Sequence, residues 1–567
     1  MRTTSQAKID EFTAKGWWGD QTISDIFSAA VAAEPSRAAL VDAPNRADIA
    51  FGQPRRLTFA DTQREIDNIA YALFFAGVRQ GDRVLVQLPN IVEIVLMYLA
   101  IARLGAIISP VPMQYGRHEL SSIASTLKPA AVVTLATFKG QNIAELHRPA
   151  FSDRTPVLAF GPQANGEIKL IDDLIADQTR RKKFDAYVAD LEVSASDTYT
   201  ICWTSGTTGR PKGVPRSNNH WFSQAYAMDD AVHLNDGEVL LNPFPFVNMA
   251  AISGFLFVWL FARATLVLHH PFDLPLMLKQ LQDERVAYTI APPAVLNMLL
   301  AKKEMLNAFD LSNLRTICSG SAPLSPWMVK GFKELLNIDV VNTFGSNEGI
   351  ALVSCAEDIP LPEHRALYFP RFGVDGITWR NRIASRMKTK LVDPESGALI
   401  TEPNKPGELC ITGPNVFDGY LDSPEDNRVV FDNEGYFRTG DLLEIVGDDD
   451  PPRFYRFVGR CKDIINRGGM KVSPEELDNL MVNHPKIAEA AAFGVPDDVM
   501  GERVFMAAVA KPGEALTLED VTSFLKEKDV AIFKWPERLL VIAALPRNPL
   551  GKVVRSELRT LAAASPS

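Results

Sequence analysis

Short apolar, β-rich runs alternate with longer segments of helical period through most of this chain, and that alternation limits the folds open to it. RVLVQLP (83–89), AAVVTLA (130–136) and TYTICWT (198–204) read as strands, while IVEIVLMYLAIARLG (91–105) reads as a helix stopped by Gly105. A chain that alternates in this way builds layers of helix on a largely parallel sheet, so the expected class is α/β. No repeat of 20 to 50 residues points to a solenoid or propeller. At 567 residues the chain is too long for one ordinary core, and 46% hydrophobic with 23% charged residues supports sizeable buried cores.

The last fifth has a different rhythm. GDDDPPR (447–453) reads as a hairpin tip, SPEELDNLMVNH (473–484) as a helix, AEAAAFGV (488–495) as a strand and LEDVTSFLKEK (518–528) as a helix. Ser473, Pro474 and Glu476 read as a capping box with proline at the first helical position. The expected organisation is a large multi-subdomain N-terminal domain over 1–462, with mostly parallel sheets, and a small mobile α+β domain over 463–567.

Charge and composition exclude several classes. A net charge of -10 argues against a general nucleic-acid binder, which needs excess Lys and Arg to meet phosphates. The five cysteines are scattered without a CxxC pair, so neither a zinc site nor a disulfide framework is expected. The apolar stretch 250–268 is broken by Arg263, and 91–111 carries Glu93 and Arg103, so both read as buried core rather than membrane spans. The N-terminus lacks the apolar run of a signal peptide. A soluble, cytoplasmic protein is the expectation.

The densest local signal is TSGTTGRPKG, Thr204 to Gly213. It follows a strand and packs three glycines, four hydroxyl residues and two cations into ten positions. Glycines admit a ligand close to the backbone, amides and hydroxyls donate to phosphate oxygens, and Lys212 adds charge. The loop is not a Walker A, because Pro211 stands where the second glycine is required.

This loop resembles the phosphate-binding signature of the adenylate-forming superfamily, which includes acyl-CoA synthetases. The other signatures follow in the same order: SGSAPLS (319–325), NTFGSNEG (342–349), GELCITGPNVFDGY (407–420), YFRTGDL (436–442), VGRCKDIINRGGMKVSPEELD (458–478) and NPLGK (548–552). The resemblance covers nearly the whole chain and implies ATP, Mg2+ and CoA as cofactors. It implies ATP contacts from Thr204, Ser205, Gly206, Thr207 and Thr208, and from Gly320, Ser321, Ala322 and Pro323. Asn342, Thr343, Phe344, Gly345 and Asn347 would add to these, with Phe344 flat on adenine. Glu348 would hold the metal, and Asp441 and Arg460 would meet the ribose or phosphates. Lys552 would reach the carboxylate and α-phosphate during adenylation, with Glu348 and Lys212 as the other catalytic groups. Asp463 matches the hinge, and Gly468, Gly469 and Met470 the loop that meets CoA. The acid pocket would take in Phe246, Asn248, Met249, Gly320 and Gly345.

Three departures from the family pattern bear on substrate. Asn347 replaces the usual threonine, Met470 the usual acid after the paired glycines, and PFPFVNMAAISG (243–254) carries Asn248 where a gating aromatic or His is often found. Asn248 leans towards aryl acids; KGWWGDQTI (15–23) and PMQYGRHEL (112–120) lean towards medium-chain, alicyclic or arylalkanoic acids. Asn248 reads equally as a capping loop residue. Adjacent His269 and His270 point apart on any regular element and suggest no metal site, and Cys461 has no base nearby to make it a nucleophile. The leading reading is an AMP-forming carboxylate–CoA ligase. A stand-alone enzyme loading a carrier protein and a non-catalytic binder are the rivals. The expected partners are a small carboxylic acid, ATP and CoA, with a homodimer left open.

Overall fold

In the computed structural model, seven strands of the N-terminal unit align in the order Lys169–Leu170, Val157–Phe160, Ala131–Leu135, Arg83–Val86, Ile107–Pro110, Thr198–Ser205 and Pro211–Ser217. The described residues are 1–164, 167–205, 211–467, 470–497, 500–528, 530, 532–548 and 551–564, without the side chains of Ser205 and Lys471. All pairings in this sheet are parallel except the last, where Thr198–Ser205 and Pro211–Ser217 run antiparallel. A second sheet orders Ala351–Ser354, Asp339–Gly345, Thr316–Gly320, Tyr288–Ile290, Val239–Asn242, Thr265–Leu268, Ala38–Val41 and Arg56–Thr58, parallel inside and antiparallel at both edges. Central strands such as AVVTL and TLVL are buried along their whole length, as parallel strands covered on both faces must be.

The expected helix from 91 runs Val92–Arg103 and ends where Gly105 takes φ +64°, a conformation in which a side chain is strained. Glu93 is buried within it, and Arg46 neutralises it at 2.7 Å and 2.9 Å, with Arg46 also bonded to Asp42. The 250–268 stretch divides into a helical turn at Met249–Ala251, a π-helix at Ile252–Phe257, a last helical turn at Val258–Phe261 and the strand Thr265–Leu268. It is core, as its interrupting Arg263 implied. Among the described residues, no helix is long and apolar enough to cross a membrane.

Contacts group residues 1–388 with 411–437, and separately 389–410 with 438–567. Strands Phe437–Val446, which lies in the second unit from Arg438 on, and Phe454–Arg460 form the hairpin expected around GDDDPPR, with Val446 opposite Phe454. A further sheet orders Met470–Val472, Ile465–Arg467, Gly501–Ala510 and Ile487–Asp497, with Arg538–Val541 parallel to Gly501–Ala510. Helices Pro474–Met481, Leu518–Glu527 and Arg555–Ala564 accompany it. Val472, Leu477, Met506, Val521 and Leu525 make its core. Burying each such side chain contributes about 1.5–3 kcal/mol.

The capping box at Ser473 forms by half. Ser473 Oγ accepts from Glu476 N at 3.3 Å, but the Glu476 carboxylate turns to Lys534 at 2.7 Å instead of closing back on the cap. A full ammonium charge is the stronger partner for it. The chain is thus an α/β protein with a large N-terminal part of mostly parallel sheet and a small C-terminal part.

Candidate active site

The antiparallel pair Thr198–Ser205 and Pro211–Ser217 places Lys212 directly opposite Thr204. Gly206, Thr207 and Thr208 lie outside the described residues, as does the side chain of Ser205. Lys212 extends from its strand over the Tyr420 ring, 5.0 Å from the centroid, and its ammonium meets Asp426 at 2.6 Å. The Tyr420 hydroxyl donates to Glu348 Oε1 at 3.1 Å. A cation, an aromatic ring and a buried carboxylate are thereby linked beside the strands that bracket the hydroxyl-rich loop. Burial, and then Glu348, push the Tyr420 hydroxyl's pKa well up, so it stays a donor.

Glu348 sits on a tight loop after strand Asp339–Gly345. The adjacent Gly349 has φ +122°, and a Cβ there would meet Asn415 O at 2.3 Å, so only glycine fits. Asn347 is buried; its Oδ1 accepts from Met249 N at 2.9 Å. What it can offer a ligand is therefore its Nδ2 donor. The same bond fastens the 243–254 segment to the Glu348 loop.

The strip expected at adenine is built on parallel strands Thr316–Gly320 and Asp339–Gly345, with Gly320 opposite Thr343. A Cβ on Gly320 would fall 2.2 Å from Thr343 O, so the close pairing requires glycine. Ser321, at φ +69°, leads into exposed Ala322 and Pro323. Phe344 is half-buried, its ring 5.5 Å from that of Phe369. Asn342 is buried and turns its amide into the fold, donating to the carbonyls of Arg365 and Ala366 at 3.0 and 3.1 Å.

On the acid side, Asn248 caps the helical turn at Met249–Ala251, its Oδ1 accepting from Ala250 N at 3.1 Å. The capping role weighed for it is therefore occupied, which leaves its Nδ2 as the group for a ligand. Met249 lies against Gly345 so closely that a Cβ there would be 2.4 Å from Met249 Cε. Phe246 is buried, and its carbonyl accepts from Tyr98 at 2.7 Å.

In the second unit, Asp441 and Arg460 are register partners, and Arg460 Nε meets Asp441 Oδ1 at 2.9 Å. Asp463 sits in the turn that joins the two sheets of this unit, its N–H donating to Arg460 O at 3.1 Å. Met470, half exposed at 49%, stands opposite Arg467, with Gly468 and Gly469 outside the described residues. Lys552 is exposed, its turn held by Lys552 N to Asn548 Oδ1 at 2.9 Å and Asn548 N to Lys552 O at 2.8 Å; Pro549 and Leu550 are outside the described residues.

Burial pushes the Cys461 thiol up to about 12, which leaves no thiolate to act as nucleophile. His269 is a core residue whose two nitrogens are bonded to Gln280 Oε1 at 2.7 Å and Asp273 N at 3.0 Å. Among the described residues, no group of three or more His, Cys, Asp and Glu side chains could hold a metal alone. A single carboxylate such as Glu348 does suit Mg2+, which takes one or two protein carboxylates and fills its shell with phosphate and water oxygens. The groups not singled out from the sequence are Tyr420, Asp426, Arg216 and Asn415. Asn415 and Tyr420 both stand inside the quoted signature GELCITGPNVFDGY (407–420), which was the one visible signal for them.

Comparison with known proteins identifies the family of the chain. Residues 27–421 match the model of the AMP-binding enzyme family, and 476–552 that of the AMP-binding enzyme C-terminal domain. The chain is 32% identical to 3-[(3aS,4S,7aS)-7a-methyl-1,5-dioxo-octahydro-1H-inden-4-yl]propanoyl:CoA ligase of Rhodococcus jostii, over 89% of this chain and 93% of that one. It is 29% identical to 4-coumarate-CoA ligase 1 of Narcissus pseudonarcissus, over 90% and 89%. Among solved structures it is similar to ATP-bound MatB from Rhodopseudomonas palustris, at a TM-score of 0.77 and 25% identity, covering 96% of this chain and 99% of that one. With both family models matched in order and these relatives named as CoA ligases, the chain belongs to the adenylate-forming AMP-binding enzymes.

Proposed function

We propose that the protein is an ATP-dependent carboxylate–CoA ligase working in two steps at one site. In the first, a carboxylate oxygen attacks the α-phosphorus, the bond to the bridging oxygen breaks, and pyrophosphate leaves behind an acyl-AMP. In the second, the CoA sulfur attacks the acyl carbon, its proton is lost, and the C–O bond to AMP breaks. The observation that carries the reading is the Glu348–Tyr420–Lys212 chain at the strands that flank the hydroxyl-rich segment, because two anions can meet only where fixed cations and donors offset their repulsion.

Lys212 meets the phosphates in this scheme, exchanging Asp426 for them, and Asn347 donates through Nδ2. Glu348 would hold Mg2+, which when bound offsets the charge on the departing pyrophosphate. Asp441 and Arg460 take the ribose side. Lys552 supplies a movable point charge to the carboxylate and α-phosphate, as a long, flexible ammonium can. Asp463, in the turn between two sheets, is the proposed pivot that withdraws Lys552 and presents Gly468, Gly469 and Met470 for thioester formation.

The acid is proposed to be compact and ring-bearing. Two relatives are named for such acids, and Met249 packed on Gly345 beside half-buried Asn248 supports a short pocket with one polar donor. The test is release of pyrophosphate and AMP across aryl, arylalkanoic, alicyclic and fatty acids, with CoA or a phosphopantetheinylated carrier protein as acceptor. Acid-dependent AMP with CoA thioester is expected. ADP as product, or turnover without acid, sinks the assignment; thioester only on the carrier replaces the acceptor.

A further inference from the structure

Arg216, near the end of strand Pro211–Ser217, is wholly buried, yet among the described residues it has no carboxylate within ion-pair distance. Its fork donates instead to four neutral oxygens: Gln224 Oε1 at 2.6 Å, Asn347 O and Asn415 O each at 2.7 Å, and His220 O at 3.0 Å. The Trp221 ring lies 4.4 Å from the guanidinium carbon. Burying a cation without an anion is costly, and burial pushes this guanidinium down to about 9. An apolar residue would fill the same volume more cheaply, so the arrangement calls for a reason.

The reason lies in what the four acceptors hold. Asn347 O belongs to the residue before Glu348. Gln224, gripped at Oε1, donates through Nε2 to Ile350 O at 3.0 Å and Ser346 O at 3.4 Å. Asn415, gripped at its carbonyl, donates through Nδ2 to Gly349 O at 2.5 Å. Four carbonyls of the 346–350 loop are thus held by Arg216 or by a group that Arg216 holds. The fifth, Glu348 O, accepts from Phe417 N at 2.9 Å.

We propose that Arg216 is a positioning residue for Glu348: through Gln224, Asn347 and Asn415 it fixes the backbone of the 346–350 loop before metal and nucleotide arrive. Lysine cannot substitute, since an ammonium offers three donors from one point whereas the guanidinium fork reaches three backbone carbonyls and a side chain together. The role of Glu348 rests on the proposed adenylation; the clamp itself does not.

The experiment compares wild type with Arg216→Lys and Gln224→Met by two readouts. Backbone amide exchange over 346–350, referenced to strand Thr316–Gly320, tests the clamp with no ligand present. Binding of α,β-methylene-ATP with Mg2+ tests its consequence. Faster exchange confined to the loop and about tenfold weaker nucleotide binding are expected in Arg216→Lys, with KM for the acid within twofold. Gln224→Met should shift both in the same direction by less, and it keeps the test open if Arg216→Lys does not fold. In a Glu348→Gln background, Arg216→Lys should weaken binding by less than twofold. Unchanged loop exchange in both variants, or an undiminished loss in the Glu348→Gln background, overturns the assignment. If wild type releases no acid-dependent pyrophosphate, the proposed function fails while loop exchange still decides the clamp.

Discussion

Tyr420 and Glu348, 72 positions apart, share a half-buried hydrogen bond of 3.1 Å, and the same tyrosine ring lies beneath the Lys212 ammonium. One residue therefore orients both an acid and a base of the proposed phosphate site. Tyr420→Phe keeps the ring under Lys212 and deletes only the hydroxyl. A hydrogen bond to a charged group contributes about 1.5–3 kcal/mol, so adenylation kcat/KM for MgATP should fall by roughly tenfold or more. KM for the acid should stay within twofold. If the acid and MgATP constants move together, the hydroxyl is not serving the nucleotide side.

Gly345 and Met249 give a test of the acid side. A methyl on Gly345 would lie 2.4 Å from Met249 Cε and 3.2 Å from Ile350 O. The first obstacle is the free end of a flexible side chain, which can swing away; the second leaves room with a small shift. Gly345→Ala should therefore fold, displace Met249 and raise KM for the preferred acid about tenfold, with a smaller change for ATP. Adding Met249→Ala should recover much of the loss. Gly320→Ala differs, because its obstacle is the Thr343 carbonyl at 2.2 Å, and a backbone atom can yield only by parting the strands. It should lower stability by about 1–3 kcal/mol, a loss that Met249→Ala leaves in place. Recovery of Gly320→Ala by the methionine change would refute this account.

How much of this was legible beforehand follows from distance along the chain. Strands 83–86, 131–135 and 198–205 and the Gly105 stop are local events, governed by periodicity and φ, and the sequence pattern marks them. The ordered signatures marked the family because each is a short contiguous string. Arg216 was invisible, since its partners at 347 and 415 are 131 and 199 positions away and are backbone carbonyls, which any residue carries. The π-helix at Ile252–Phe257, ISGFLF, has no sequence signature that sets it apart from an α-helical turn. Asn342 was assigned to ATP by its neighbours in the motif, but strand alternation turns it towards Arg365 and Ala366.

Acid should destabilise the protein through its buried histidines. Burial, reinforced by Lys139 and His269, pushes His270 down to about 4 from 6.5, and burial also lowers His147, His220 and His269. Between pH 4 and 6.5 the unfolded chain then binds more protons than the folded one. Stability is complete above 6.5 and is lost as pH falls towards 4, by at most about 1.4 kcal/mol per pH unit for one site. Denaturant unfolding of His270→Gln should show a shallower fall over this window than wild type. Equal slopes would mean that His270 titrates normally in the folded state.

Lys552 and Asp463 should separate the two half-reactions. The turn that carries Lys552 is held by Asn548 through backbone N–H and carbonyl groups, so Lys552→Ala deletes the ammonium without releasing the turn. Negative charge gathers between carboxylate and α-phosphate during adenylation and is gone once acyl-AMP exists. Lys552→Ala should therefore slow adenylation by about 10² or more, the scale for losing a preorganised electrostatic group, and leave thioester formation from supplied acyl-AMP within a few-fold. Asp463→Pro fixes φ at the proposed pivot and removes the 3.1 Å bond to Arg460 O. It should impair thioester formation more than adenylation, because only the second step requires the rotation. Single-turnover measurement of both variants in both steps decides the matter. Equal loss of the two steps in each variant would falsify alternation between two conformations and leave Lys552 and Asp463 as groups that support the fold or the site as a whole.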